Sequence, residues 1–411
     1  MTRIEQTESE PQPKASAARR LIDFFGLRRS IVGLLMMVIL VGLGEKMAER
    51  FLPLYLLALG GGTLSIGLLN GMDNLLSALY SFPGGYLADR LGQKRVLLVF
   101  NLIAIFGYLI VILFPSWQAV LVGSIFFLSW TAISLPATMS LVAAVLPGNK
   151  RTMGVSVHSL VRRIPMALGP LIGGALIGLY GERNGVRLAF IAAAVLGVVA
   201  LILQQVMIEE RSSGVQPIAS PFAAFRLLNG NLRNLLVSDI LVRFAEQIPY
   251  AFVVVWAVRN NQISPFQFGV LTTVEMVTAM LIYIPIAYLA DRSAKKPFVL
   301  ITFGFFTLFP LVLLFARSFE LLLLAFVIRG LKEFGEPTRK ALIMDLAPEG
   351  RKAGAFGVYY LARDVVVSVA AFSGALLWNV SPEVNFLTAF GFGLLGTLYF
   401  AVFGRDLTGS A

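Results

Sequence analysis

Charge is the chemistry this sequence offers, and it lies where charge is costly. Glu45, Glu49, Asp73, Asp239, Glu246, Glu275, Glu333, Glu336 and Asp364 fall inside long apolar runs. So do Lys46, Arg50, Arg162, Arg163, Arg243, Arg329, Lys332 and Arg363. Carboxylates in such surroundings can carry protons, and arginines can hold anions. The near balance of signs also predicts ion pairs, in which removing one partner costs roughly 3–5 kcal/mol whatever its role. Spacing sorts these residues into stripes. Arg329, Lys332, Glu333, Glu336 and Lys340 follow an i, i+3, i+4, i+7, i+11 helical pattern. Asp239, Arg243, Glu246 and Tyr250 share one face, and Tyr359, Tyr360, Arg363 and Asp364 form a further group. There is no cysteine, which excludes disulfide and thiol chemistry. The single histidine, His158, reads as a packed polar residue. No phosphate-cradling glycine loop, metal-ligand cluster or nucleophile–base pattern appears, so the reading is of a non-enzyme with no metal and no cofactor.

The elements that must position these charges are membrane helices. The chain has 411 residues, 57% hydrophobic and only 14% charged, with a mean hydropathy of +0.80. Soluble domains are nearer half apolar and a quarter charged. Apolar runs predict spans at 31–58, 65–87, 95–115, 118–146, 154–180 and 187–208, then at 235–258, 265–289, 297–316, 320–347, 354–379 and 384–403. Each approaches the roughly 20 residues a crossing helix needs. Strands of this kind would leave backbone groups unpaired in lipid. A charge at bilayer centre costs about 2.5–3.5 kcal/mol, so the stripes must face an interior cavity, one another or the interface.

Residues 1–30 read as a cytoplasmic tail, and the first apolar run is too long for a signal-peptide core. The net charge of +11 follows the positive-inside bias of cytoplasmic loops rather than a nucleic-acid partner. Arg90, Lys94, Arg95, Lys150, Arg151, Arg292, Lys295, Lys296, Arg351 and Lys352 lie on one set of connections. The turns at 60–63 and 115–118 carry no base. Both termini are therefore expected in the cytoplasm, in a multi-pass protein of the cytoplasmic (inner) membrane. The stretch 209–234 reads as a cytoplasmic linker between six-helix bundles at 31–208 and 235–403, with 404–411 as a tail.

The two bundles repeat at a shift of about 202 residues. Pro83-Gly84-Gly85-Tyr86-Leu87-Ala88-Asp89-Arg90 returns as Pro285-Ile286-Ala287-Tyr288-Leu289-Ala290-Asp291-Arg292, and Asp73 aligns with Glu275. Arg162 aligns with Arg363, and His158 with Tyr359. A parallel repeat suits two bundles around a central cavity.

The segment from Gly85 through Asp89, Arg90, Gly92 and Lys94 to Arg95 resembles the signature loop of the major facilitator superfamily. The resemblance implies an all-α membrane protein: twelve transmembrane helices in two pseudo-symmetric six-helix bundles, working by alternating access. It also implies that this loop, with Asp291 and Arg292 in the second copy, latches the halves when the cytoplasmic side is closed. Ala287, Ala294 and Pro297 depart from the pattern, so the second latch should be weaker. Gly169, Pro170, Gly173 and Gly174 resemble the glycine–proline motif of the superfamily's drug/proton antiporters, as a hinge and tight packing seam. Ser156 and Pro165 replace its upstream glycines, and 124–145 lacks the arginine of many proton-coupled members.

The expected function is proton-coupled efflux of small amphipathic compounds, by a protein that acts as a monomer in the lipid bilayer. Glu45, Arg162, Arg163, Arg243, Glu246, Arg329, Glu333, Glu336, Tyr359 and Arg363 are the expected cavity and substrate residues. Asp73, Glu275, Glu333 and Glu45 are the proton-coupling candidates, with H+ as the coupling ion. The rival readings are a transporter of an organic anion or zwitterion held by Arg162 and Arg363, and a non-transporting receptor or scaffold.

Overall fold

The computed structural model describes residues 29–91, 93–128, 161–208, 228–290, 294–348 and 352–405. Every regular element among them is helical. The apolar runs become α1 (Arg29–Glu49), α2 (Leu52–Ala58), α3 (Thr63–Leu91), α4 (Gln93–Leu113), α5 (Trp117–Phe127) and α6 (Arg163–Met207). The second half supplies α7 (Gly230–Gln247), α8 (Val253–Val255), α9 (Pro265–Ala290), α10 (Lys295–Phe315), α11 (Phe319–Leu331), α12 (Glu336–Leu346), α13 (Lys352–Val380) and α14 (Pro382–Phe403). Among the described residues, eight helices are long and apolar enough to cross a membrane.

Backbone chemistry explains how these elements make twelve crossings. Gly181 takes φ +78, a conformation that favours glycine, and reverses α6. A Cβ at Gly185 would fall on the backbone of Ile177, so the arms 163–180 and 182–207 lie against each other as two crossings. Elsewhere two pieces make one crossing. Pro53 starts α2 just after α1 ends. Pro249 ends the run of α7 in a 3-10 turn at Tyr250–Phe252, followed by α8 and a π-turn at Trp256–Asn260. Gly335 and Pro337 separate α11 from α12. Each interruption sits beside charged residues, at Glu49–Arg50, at Glu246 and at Lys332–Glu333.

Two boundaries differ from the sequence expectation. The helix after Gly181 resumes at once rather than near 187. α7 starts at Gly230, inside the expected linker, because the Asn229 side chain accepts a hydrogen bond from the Leu232 amide at 2.9 Å.

The halves meet along two seams. On one, Gly67 and Gly71 of α3 press on Phe372 and Ala375 of α13. On the other, Gly174 of α6 abuts Pro265 of α9, Gly269 abuts Pro170, and Thr273 Oγ1 donates to the Ala167 carbonyl at 2.8 Å. Both seams lie toward the end that carries the 60–63 turn. There Thr63 Oγ1 donates to Asn379 Oδ1 at 2.5 Å, and Arg259 pairs with Glu182 at 2.5 Å. The outer surface is apolar, with Leu179, Leu281 and Phe315 about 70% exposed or more. Lipid covers such side chains at no hydrophobic cost.

Candidate functional site

Two cavities lined by charged residues lie between the halves. One is bounded by Glu49, Arg50, Asp73 and Leu128 from the N-terminal half and by Tyr250, Phe268 and Arg329 from the C-terminal half. The other lies between Asp73, Asn74 and Ser77 of α3 and Arg243, Gln247, Arg363 and Asp364. Asp73 and Tyr250 border both. Between them the halves touch through Asn70, whose Nδ2 donates to the Gln247 carbonyl at 3.0 Å, and through Asn74, which donates to Gln247 Oε1 at 3.2 Å.

Behind the C-terminal wall runs a continuous ion-pair network. Asp239 pairs with Arg339, lies 3.5 Å from Arg363 and 3.7 Å from Arg243, and accepts from the Tyr359 hydroxyl at 3.0 Å. Arg339 continues to Glu336 at 2.6 Å, and Glu336 to Arg243 at 3.2 Å. Arg243 holds Glu246 at 2.7 Å, and Glu246 holds Lys332 at 2.6 Å. Glu275 closes the chain, 3.6 Å from Lys332 and 3.3 Å from Arg329. The rings of Tyr250, Phe309 and Phe326 surround the Arg329 guanidinium. Buried charges hold this way only when every member has a partner.

The N-terminal half has a shorter version. Lys46 lies 3.0 Å from Glu45 and also pairs with Glu49. Arg163 reaches across to Glu333 of the other half at 3.0 Å. Every acid singled out inside the spans thus makes an ion pair except Asp73, which makes none among the described residues although it borders both cavities.

The repeat explains why Asp73 stands apart. Its partner Glu275 is neutralised by Arg329 and Lys332, two residues of the tenth span. The corresponding part of the fourth span holds Phe127 and Leu128, both buried and apolar. The second-span acid was kept in both halves, whereas the bases facing it are present in only one.

The structure distributes the expected site residues unevenly. Arg243, Arg329 and Arg363 border the cavities. Glu246, Glu275 and Glu336 stand behind them as counter-charges. Tyr359 is fully buried and serves Asp239 rather than the cavity. Glu45 is held by Lys46, and Arg162 borders neither cavity among the described residues, so Arg162 and Arg363 do not converge on one anion. The stripe on the tenth span is broken at 332–335, and Lys340 points outward at 48% side-chain exposure. Arg339, one position earlier, is buried and central. It was passed over in the sequence, although its i+3 spacing from Glu336 places it on the same face. Arg50 also gains importance, at the break between α1 and α2, with its guanidinium 5.1 Å from the centre of the Tyr250 ring.

Gly169 and Gly173 seat the first arm of α6 on the backbone of Lys46 and Met47, with no space for a Cβ. Lys94 Nζ donates to the Gln205 carbonyl at 2.8 Å, within its own half, and Arg95 is exposed. The surroundings of Gly85, the side chains of Asp89 and Arg90, and residues Gly92, Asp291, Arg292 and His158 lie outside the described part of the molecule. Among the described residues no cluster of three or more acids or histidines could hold a metal ion.

Comparison with known proteins agrees with this architecture. The family model described as Major Facilitator Superfamily matches residues 20–234 and again 235–409. An uncharacterised MFS-type transporter of Methanocaldococcus jannaschii is 23% identical over 358 residues, covering 84% of this chain and 87% of its own length. The quinolone resistance protein NorA of Staphylococcus aureus is 24% identical over 184 residues, covering 45% of this chain and 46% of its own. Among solved structures, the nucleoside transporter NupG superposes with a TM-score of 0.78 at 13% identity, over 91% of this chain and all of its own.

Proposed function

We propose that this chain, which belongs to the Major Facilitator Superfamily, is a proton-coupled secondary transporter that exports small amphipathic compounds by alternating access. The observation that carries this reading is Asp73. It is the one acid singled out within the spans that has no ion pair among the described residues, and it faces both central cavities. Glu275, Glu333 and Glu45, the other candidates, each hold a base.

The mechanism follows from charge balance. With a proton on Asp73 the cavity carries one negative charge fewer, and the site suits re-orientation without cargo. Without that proton, Asp73 attracts a cationic group on the cargo. Proton and cargo compete for one carboxylate, which links the inward movement of one to the outward movement of the other. With both termini in the cytoplasm, as the loop charges predict, the closed seams at Thr63–Asn379 and Glu182–Arg259 face outward. The cavities then load from the cytoplasm. The partial similarity to NorA supports export and an amphipathic cargo.

The test is flux in proteoliposomes under an imposed pH gradient, screening lipophilic cations against organic anions. Cargo movement driven by the gradient, abolished in Asp73→Asn while cargo–cargo exchange persists, supports the proposal. Gradient-driven movement that survives Asp73→Asn refutes it.

A further inference from the structure

Arg50 and Asp73 border the same cavity, and neither makes an ion pair among the described residues. Other bases at the cavities are ion-paired: Arg243 with Glu246 and Glu336, Arg329 with Glu275, and Arg363 with Asp364 at 2.7 Å. Glu49, next to Arg50 in sequence, is held by Lys46. What Arg50 has instead is the face of Tyr250, which fixes the guanidinium by a cation–π contact and leaves its donors unused by any described carboxylate. A charge withdrawn from bulk water without a partner is costly, and a protein keeps one where a ligand supplies the partner. The guanidinium fork fits a carboxylate with two parallel hydrogen bonds. The same cavity also presents an apolar surface, with Leu52, Pro53, Leu128, Val253 and Val254 in its lining.

The geometry points to an amphipathic zwitterion as the cargo, its carboxylate seated on Arg50, its amine turned to Asp73 and its apolar body on that apolar surface. The inference rests on this cavity being the cargo site, as proposed above, and it adds the anionic end that proton coupling does not require. It also gives each uncompensated charge one task. A cargo with only a cationic centre would leave Arg50 unpaired, and a cargo with only an anionic centre would leave Asp73 to the proton alone.

The test uses the full chain in detergent and three matched probes read by isothermal titration calorimetry: tryptophan (zwitterion), tryptophan amide (cation) and N-acetyltryptophan (anion). Tryptophan is expected to bind about tenfold tighter than either derivative, the size of one charge-assisted hydrogen-bonded contact. Arg50→Gln should abolish its advantage over the amide, and Arg50→Lys should restore part of it. Asp73→Asn should abolish its advantage over the N-acetyl form. The amide binding as tightly as tryptophan, Arg50→Gln leaving the ranking intact, or binding of none of the three would overturn the inference. The ranking on the native protein decides the matter even if a variant fails to fold. Gradient-driven flux with its dependence on Asp73 is a separate readout, so the zwitterion inference can fail while proton coupling stands.

Discussion

At equivalent positions of the repeat, Glu275 lies 3.3 Å from Arg329 and 3.6 Å from Lys332, whereas Asp73 faces two cavities with no base in pairing distance among the described residues. The two halves share helix order and the second-span acid, yet they use that acid differently. In the C-terminal half it ends an ion-pair network that fixes α7, α9, α11 and α12 against one another. In the N-terminal half the neighbouring positions are Phe127 and Leu128, and the acid is left to whatever enters the cavity. The duplicated halves thus hold one wall tied by ion pairs and one whose acid has no base in pairing distance among the described residues, the difference resting on a few residues of the fourth and tenth spans.

The largest effect is expected where the ion-paired wall is broken. Arg339→Met leaves Asp239 and Glu336 short of a partner in a buried network, and should cost roughly 3–5 kcal/mol. Thermal unfolding in detergent should show a large drop, and an unchanged midpoint would mean that the network is not structural. Next comes the matched pair of acids. Glu275→Gln strands Arg329, while Lys332 keeps Glu246, and should destabilise by more than about 1 kcal/mol, whereas Asp73→Asn should change stability by about 1 kcal/mol or less. Equal destabilisation would erase the comparison.

A third variant tests the comparison by making the halves alike. Leu128→Arg places a base near Asp73, at the repeat position of Arg329. It should reduce gradient-driven flux about tenfold or more while the protein stays folded, because the carboxylate is then neutralised without a proton or cargo. Full flux in that variant would show that the missing counter-charge is not what matters. The smallest effect belongs to the closed end. Arg259, about half exposed, pairs with Glu182, and such a pair is worth less than about 1 kcal/mol. Arg259→Ala should leave unfolding unchanged yet raise the labelling rate of a cysteine placed at Thr63, as the seam opens more often. No rise would mean that the glycine seams alone hold it shut.

Much of this was legible in the sequence. Hydropathy located the span ends among the described residues to within a few positions, and the repeat register paired Asp73 with Glu275 before any geometry. The absence of charge from 124–145 already contained the reason for their divergence, though only the positions of Phe127 and Leu128 show its meaning. What spacing alone does not convey is rotation after a break. Lys340 and Arg339 exchange expected places because the tenth span is interrupted at 332–335, which resets which side chain points inward. Tyr359 and Arg162 lie away from the two cavities for a related reason: periodicity marks a polar face but not whether a cavity or another helix lies opposite. That Arg50 makes no ion pair among the described residues was equally hidden, since Glu49 beside it in sequence turns to Lys46.

The central claim is that Asp73, and not its repeat partner, is the carboxylate that exchanges protons. Infrared difference spectroscopy of the reconstituted protein across a pH titration reads this without knowledge of the cargo. A titrating carboxyl C=O band that disappears in Asp73→Asn and persists in Glu275→Gln is the predicted result. The same band surviving in Asp73→Asn and vanishing in Glu275→Gln would contradict the account.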